Sequence, residues 1–256
     1  MIDLVAGYAR GYNADEIRPF LKSLRKTGYN RKILLFADGE AAEEAKNWDV
    51  DLFEVPALKV KVHSDRFLCL ERVLSDYPCE GIFLSDTRDV IFQKNPALNL
   101  PSDGLNVYEE DQSMSLGICP YNSKWIKLGY GEDVLKEMGA YPISCVGTTC
   151  GDRDSVLHYL KKLKEEIERI QPKTTHPQDQ AAHNYLIRKD LADLQIASQL
   201  RVWNNEEGEI YTVGYIPRGT VQLRNNKIIN KAGVAPTVIH QWDRHRNLEN
   251  LVRLVL

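Results

Sequence analysis

Apolar and polar positions in the first ninety residues follow two alternating rhythms. Short apolar runs at Ile2–Ala6, Lys32–Phe36, Leu52–Val55 and Gly81–Leu84 predict strands. Between them, Glu16–Lys26 places Ile17, Phe20, Leu21 and Leu24 at helical spacing ahead of Gly28. Glu40–Lys46 predicts a short polar helix, and Ser64–Leu74 a longer one that Ser64 can cap. Strands separated by helices predict a parallel sheet with crossover connections. The fourth run ends in Ser85-Asp86-Thr87-Arg88-Asp89, and open α/β sheets take their ligands beyond the carboxyl ends of strands.

The second half is less regular. Leu105–Tyr108 and Ile143–Val146 predict strands, and Ser123–Lys127 a helical turn. Asp152–Ile170 is a long charged helix with Val156, Leu160, Leu163 and Ile167 on one face, which must pack against the sheet. Gln178–Arg188 predicts another helix, with Pro177 suited to its first turn. The runs 221–224 and 227–230 flank Asn225-Asn226, a pair that tolerates the positive φ of a two-residue hairpin. Thr237–His240 predicts a last strand before a terminal helix. Without an internal repeat or a Gly/Ser-rich linker, residues 1–256 are expected to form a single α/β domain, a mixed and mostly parallel sheet flanked by helices, with short C-terminal strands and a hairpin.

Composition narrows the function class. Lys and Arg number 33 against 36 Asp and Glu, so the chain lacks the basic excess that nucleic-acid binding demands. Its longest unbroken apolar stretch, Ile33–Ala37, is far below the roughly 20 residues of a membrane span, leaving only peripheral membrane contact open. The start, Met1-Ile-Asp-Leu-Val, lacks the features of a secretory signal, and a cytoplasmic location is expected. Five cysteines without Cys-x-x-Cys spacing indicate reduced thiols rather than a disulfide framework or zinc site.

The chemistry concentrates at Asp86 and Asp89. Two carboxylates three residues apart at a strand exit supply hard oxygens suited to Mg²⁺ or Mn²⁺, ions that commonly bind through carboxylates together with substrate phosphates. Arg88, between them, can contact a phosphate. The alternative is a turn in which Asp86 caps a helix and Asp89 pairs with Arg88. Gly7 and Tyr8 follow the first predicted strand, where a missing side chain lets a ring approach the backbone and a tyrosine can stack, with a tyrosine packed into the core as the alternative. Arg66 lies near a helix start and can reach phosphate, or else pair with Asp65 or Glu71. Gly147-Thr148-Thr-Cys-Gly151 offers close backbone approach, with plain turn chemistry as the alternative. Asp179 and His183 share a helical face, with Gln180 and Asn184 adjacent, and capping of that helix by Asp179 is the alternative to a role in chemistry.

The segment Phe83-Leu-Ser-Asp-Thr-Arg-Asp-Val-Ile-Phe-Gln-Lys-Asn-Pro96 resembles the metal-binding segment of GT-A glycosyltransferases, although the usual Asp-x-Asp is here Asp-x-x-Asp. The resemblance extends to Val5-Ala-Gly-Tyr8, the helix carrying Arg66, and the late His240. It implies a GT-A, Rossmann-like fold, with residues 1–100 as the nucleotide-binding half and 101–256 as the acceptor-side half. It further implies a sugar transferase using Mn²⁺ or Mg²⁺ and a nucleotide diphosphate sugar, most simply a UDP-sugar, with a glycan or lipid-linked acceptor. Carried over residue by residue, Asp86, Asp89 and His240 would hold the metal, with Asp86 alternatively meeting the ribose. Gly7, Tyr8, Arg66, Asp86 and Arg88 would bind the nucleotide, Gly147 and Thr148 the donor sugar, and Asp179 and Gln180 the reacting centre. Two rivals stand beside this reading: a sugar nucleotidyltransferase, disfavoured because residues 6–14 hold no lysine, and a nucleotide-sugar binding protein without turnover.

Overall fold

The computed structural model describes residues 1–55, 62–170, 178–191 and 199–255. The suggested first-turn role of Pro177 and the side-chain cap at Ser64 lie outside the described residues. The central sheet contains β1 (Leu4–Ala9), β2 (Lys32–Ala37), β3 (Asp51–Glu54), β4 (Gly81–Ser85), β6 (Leu105–Glu109), β7 (Ser144–Asp152) and β8 (Leu200–Trp203). Its order is β3-β2-β1-β4-β7-β6-β8, with β7 antiparallel to both neighbours and every other pairing parallel. This is an α/β architecture with a mixed, mostly parallel sheet. The strand order reverses between β1 and β4, which opens a crevice at their carboxyl ends.

Alternation along β1 sorts side chains onto two helical layers. Leu4, Ala6 and Tyr8 share a core with Phe67, Leu70 and Leu74 of α3 (Val62–Leu74) and with Val156, Leu160, Leu163 and Ile167 of α7 (Arg153–Ile170). Val5 and Ala9 face Ile17, Phe20, Leu21 and Leu24 of α1 (Ala14–Lys26) and Ala41, Ala42 and Ala45 of α2 (Gly39–Ala45). Asn13 caps α1 in a reciprocal capping box with Glu16. The apolar stripes read on α1 and α7 are fully buried.

Three stretches differ from the expectation. β1 runs to Ala9, so Gly7 and Tyr8 lie inside the strand, paired with Leu35 and Phe36, rather than beyond it. Gly147–Gly151 is the interior of β7, not a turn, because its two glycines admit close neighbours. A Cβ at Gly151 would overlap the carbonyl oxygen of Gly104, and one at Gly147 would overlap Asp86. Residues 120–138, expected to hold one helical turn, form α5 (Pro120–Tyr130) and α6 (Glu132–Met138). Pro120 sits at the start of α5, and Gly131 (φ +96°) breaks the chain between the helices.

A small second sheet lies beside the first, in the order β5 (Val90–Phe92), β12 (Val238–His240), β9 (Ile210–Thr212), and the short α4 (Pro96–Asn99) follows β5. The hairpin β10 (Gln222–Arg224) and β11 (Lys227–Ile229) turns through Asn225 and Asn226, both at positive φ as the sequence predicts. Helix α8 (Asp179–Tyr185) continues into a π turn over Leu186–Asp190, and α9 (Arg246–Val255) closes the described chain. No helix among the described residues is long and apolar enough to cross a membrane. All five cysteines are unpaired.

Candidate functional site

The two sheets meet where the charged cluster lies. Asp86 follows β4 directly and Asp89 precedes β5, so the four residues Asp86–Asp89 carry the chain from one sheet to the other. In the small sheet β12 pairs antiparallel with β5 in the register His240↔Val90, and the Gln241 N–H donates to the Asp89 carbonyl at 2.8 Å. Main-chain pairing thus closes the long sequence gap between Asp89 and His240. The ligating atoms of Asp86, Asp89 and His240 all lie within 4.8 Å of one another.

The His240 ring is 1% exposed. Its Nε2 makes no hydrogen bond and faces Asp86 Oδ2 at 3.3 Å and Asp89 Oδ1 at 3.5 Å. Nδ1 lies 3.5 Å from Thr212 Oγ1 and 3.6 Å from Cys145 Sγ. Burial alone disfavours the imidazolium, but Cys145, Asp89 and Asp86 outweigh it and raise the His240 pKa well above the usual value. A buried nitrogen turned toward two carboxylates can close an ion pair with them as imidazolium, or hold a cation together with them. Gly147 permits the convergence, since a Cβ there would overlap Asp86 Oδ2 and come within 2.9 Å of His240 Cε1.

Arg66 on α3 links this cluster to α8. It pairs with Asp86 and donates to Asp179 Oδ2 at 3.0 Å, so the predicted metal, phosphate and reacting-centre residues are connected. Burial opposes ionisation of Asp86, yet Arg66 and His240 hold its carboxyl well below the usual carboxylate range. Arg88 is half-exposed, ion-paired to Asp243 at 3.2 Å, and lies over the Tyr12 ring. Gln180 and Asn184 tie α8 to β7. The Gln180 side chain accepts from Val146 N at 3.0 Å and donates to the Ser144 carbonyl at 2.6 Å, while Asn184 bonds both main-chain groups of Ser144. Asp179, Gln180, Arg66, Arg88, Asp86, Asp89 and Gly147 all line one cleft of about 570 Å³.

Three of the predicted residues lie elsewhere. Gly7 does not line the cleft. A Cβ there would sit 2.5 Å from Thr87 Cγ2, so its bare backbone makes room for the Asp86–Asp89 turn rather than for a base. Tyr8 is 6% exposed, with its hydroxyl donating to Asp65 at 2.7 Å and its ring against Phe36. Because β1 is longer than expected, this side chain enters the core instead of the crevice. Thr148 is fully buried, opposite Ser85 in β7, and away from the cleft lining.

The cleft also contains residues the sequence reading passed over: Tyr12, Glu110, Asn122, Trp125 and Gln241. Glu110 was within reach, because the run Glu109-Glu110-Asp111 stands at the end of a predicted strand just as Asp86 does. Burial raises the pKa of its carboxyl, with His240 and Arg244 opposing. No family model matches the chain, and no curated protein matches it.

Proposed function

We propose that this chain is a metal-dependent glycosyltransferase of the GT-A type, moving a sugar from a nucleotide diphosphate sugar, most simply a UDP-sugar, to a glycan or lipid-linked acceptor. The observation that carries this reading is the convergence of Asp86, Asp89 and His240 at the sheet's crevice, with the unbonded His240 Nε2 facing both carboxylates. One imidazole and two carboxylates suit Mn²⁺, with Mg²⁺ the alternative. Bound there, the ion would offset negative charge on a departing diphosphate.

The chain's own groups complete the assignment. Arg66 and Arg88 border the same cleft as the acids and supply fixed positive charge for the diphosphate. Tyr12, in place of Tyr8, presents an aromatic ring beside Arg88 and takes the base-stacking role. Gly147 makes room for the ion's ligands. Gln180 has its amide engaged by β7 and positions the cleft wall, whereas Asp179, held by Arg66, is the carboxylate at the reacting centre.

Calorimetric titration with UDP, with and without Mn²⁺, tests the reading. Metal-dependent binding, followed by UDP release from a panel of UDP-sugars, is expected. Binding that is indifferent to Mn²⁺ would overturn the metal assignment. Metal-dependent binding with no UDP released over hours would leave only a nucleotide-sugar binding protein.

A further inference from the structure

Beyond the acids and arginines, the cleft continues to the end of β6 and to α5, where its chemistry changes. Glu110, one residue past β6, is 4% exposed, and its Oε2 is fully enclosed without a hydrogen-bond partner. Asn122, on the first turn of α5, is also 4% exposed. Its Nδ2 donates to Cys119 Sγ at 3.2 Å, whereas its Oδ1 has no partner. Both residues line the cleft. Buried polar atoms are nearly always paired, so two unpaired acceptors in one wall call for a ligand that brings donors.

An aromatic ledge stands beside them. Tyr121 is 63% exposed and tilts against Trp125 with ring centroids 6.1 Å apart, and both side chains border the same cleft. So exposed a large side chain, next to enclosed polar acceptors, is poorly explained by packing. Ring faces attract C–H-rich surfaces, while the carboxylate and the amide oxygen accept O–H donors. A pyranose carries both features, with hydroxyls at its rim and C–H groups on its faces. An anionic ligand would meet Glu110, and a lipid tail would leave both acceptors unsatisfied.

We propose that Glu110, Asn122, Tyr121 and Trp125 form the acceptor subsite of the transferase reading, and that the acceptor is a neutral saccharide ring stacked on Tyr121 and Trp125 with its hydroxyls donating to Glu110 and Asn122. The assignment rests on the transferase reading for the word acceptor, and on the cleft wall itself for the sugar.

The test titrates the intact chain with methyl β-galactoside, methyl β-glucoside, lactose and cellobiose, following tryptophan fluorescence and saturation-transfer NMR, with UDP titrated separately by calorimetry in the presence of Mn²⁺. At least one glycoside is expected to bind and to perturb the Trp125 signal, which Trp125→Phe identifies. Tyr121→Ala and Glu110→Gln are each expected to weaken that glycoside at least tenfold, with the circular dichroism of the wild type retained. Tyr121 is mostly in solvent, so its variant reports binding without a folding effect. The subsite is overturned if none of the four sugars binds, if either variant weakens binding less than tenfold, or if phosphatidylcholine vesicles alone engage the ledge. Glycoside binding without UDP binding retains the sugar site and removes the transferase reading; UDP binding without glycoside binding does the reverse.

Discussion

His183 and His240 are both buried histidines on elements that meet β7, yet their surroundings are opposite. His183 Nδ1 meets the Tyr159 hydroxyl at 2.7 Å and Nε2 meets Ser144 Oγ at 2.9 Å, so both ring nitrogens are satisfied by neutral groups. Burial, with Arg188 and Arg66 adding to it, pushes its pKa down to about 3, and the ring stays neutral. His240 instead faces two carboxylates with one nitrogen unbonded. Burial alone therefore does not mark a functional histidine. The proposed metal role of His240 rests instead on a nitrogen left unbonded beside two carboxylates that line the cleft.

The largest expected effect falls on the unsatisfied partner. His240→Ala and Asp89→Ala should each weaken metal-dependent UDP binding at least a thousandfold, about 4 kcal/mol, by calorimetry, with the far-ultraviolet spectrum retained. Unchanged metal dependence in either variant would remove that ligand. His183→Ala should do the converse. Loss of packing and of two hydrogen bonds should lower unfolding stability by about 2–4 kcal/mol in urea while leaving metal-dependent UDP affinity within twofold.

Gly147→Ala sharpens the comparison from the backbone side. The added methyl would collide with Asp86 and His240, and metal affinity should fall about 10- to 100-fold, as when a metal ligand's support is disturbed. Affinity equal to wild type would show that the acids relax freely. The smallest effect is a pH slope. The unfolded chain takes up a proton on His183 near the usual 6.5, whereas the folded chain does so only near 3. Stability conferred by the neutral ring is therefore complete above 6.5 and lost as pH falls toward 3, at up to about 1.4 kcal/mol per pH unit. Denaturant titrations between pH 4 and 7 should show a shallower slope for His183→Gln. Equal slopes would mean that His183 is already charged when folded.

Much of this was legible in the chain because burial writes itself as periodicity. The stripes of α1 and α7 repeat with the helical turn, and Asp86 and Asp89 follow an apolar run that ends at the crevice. What escaped depended on partners distant in sequence. Gly147 and Gly151 read as turn residues because the groups that fill their missing side-chain space, Asp86 and Gly104, lie about 60 and 47 residues upstream. Tyr8 was misplaced because the end of β1 is fixed by its pairing with β2 through Ala37, which no local pattern shows. Glu110 obeyed the same strand-end rule as Asp86 but lacked a nearby motif to single it out. Tyr121 and Trp125 lay just outside the single helical turn expected there, or within it, with no pattern to separate exposed from packed rings.

The pairing of β5 with β12 has one more consequence. The Cα positions of residues 89 and 240 are set by peptide groups, which are common to every amino acid, rather than by the side chains they carry. The scaffold thus behaves as a socket whose contacts can be exchanged while its spacing stays fixed. If this socket holds a cation as proposed, replacing the imidazole with a carboxylate or a thiolate would retune which ion it prefers without asking the strands to find one another again.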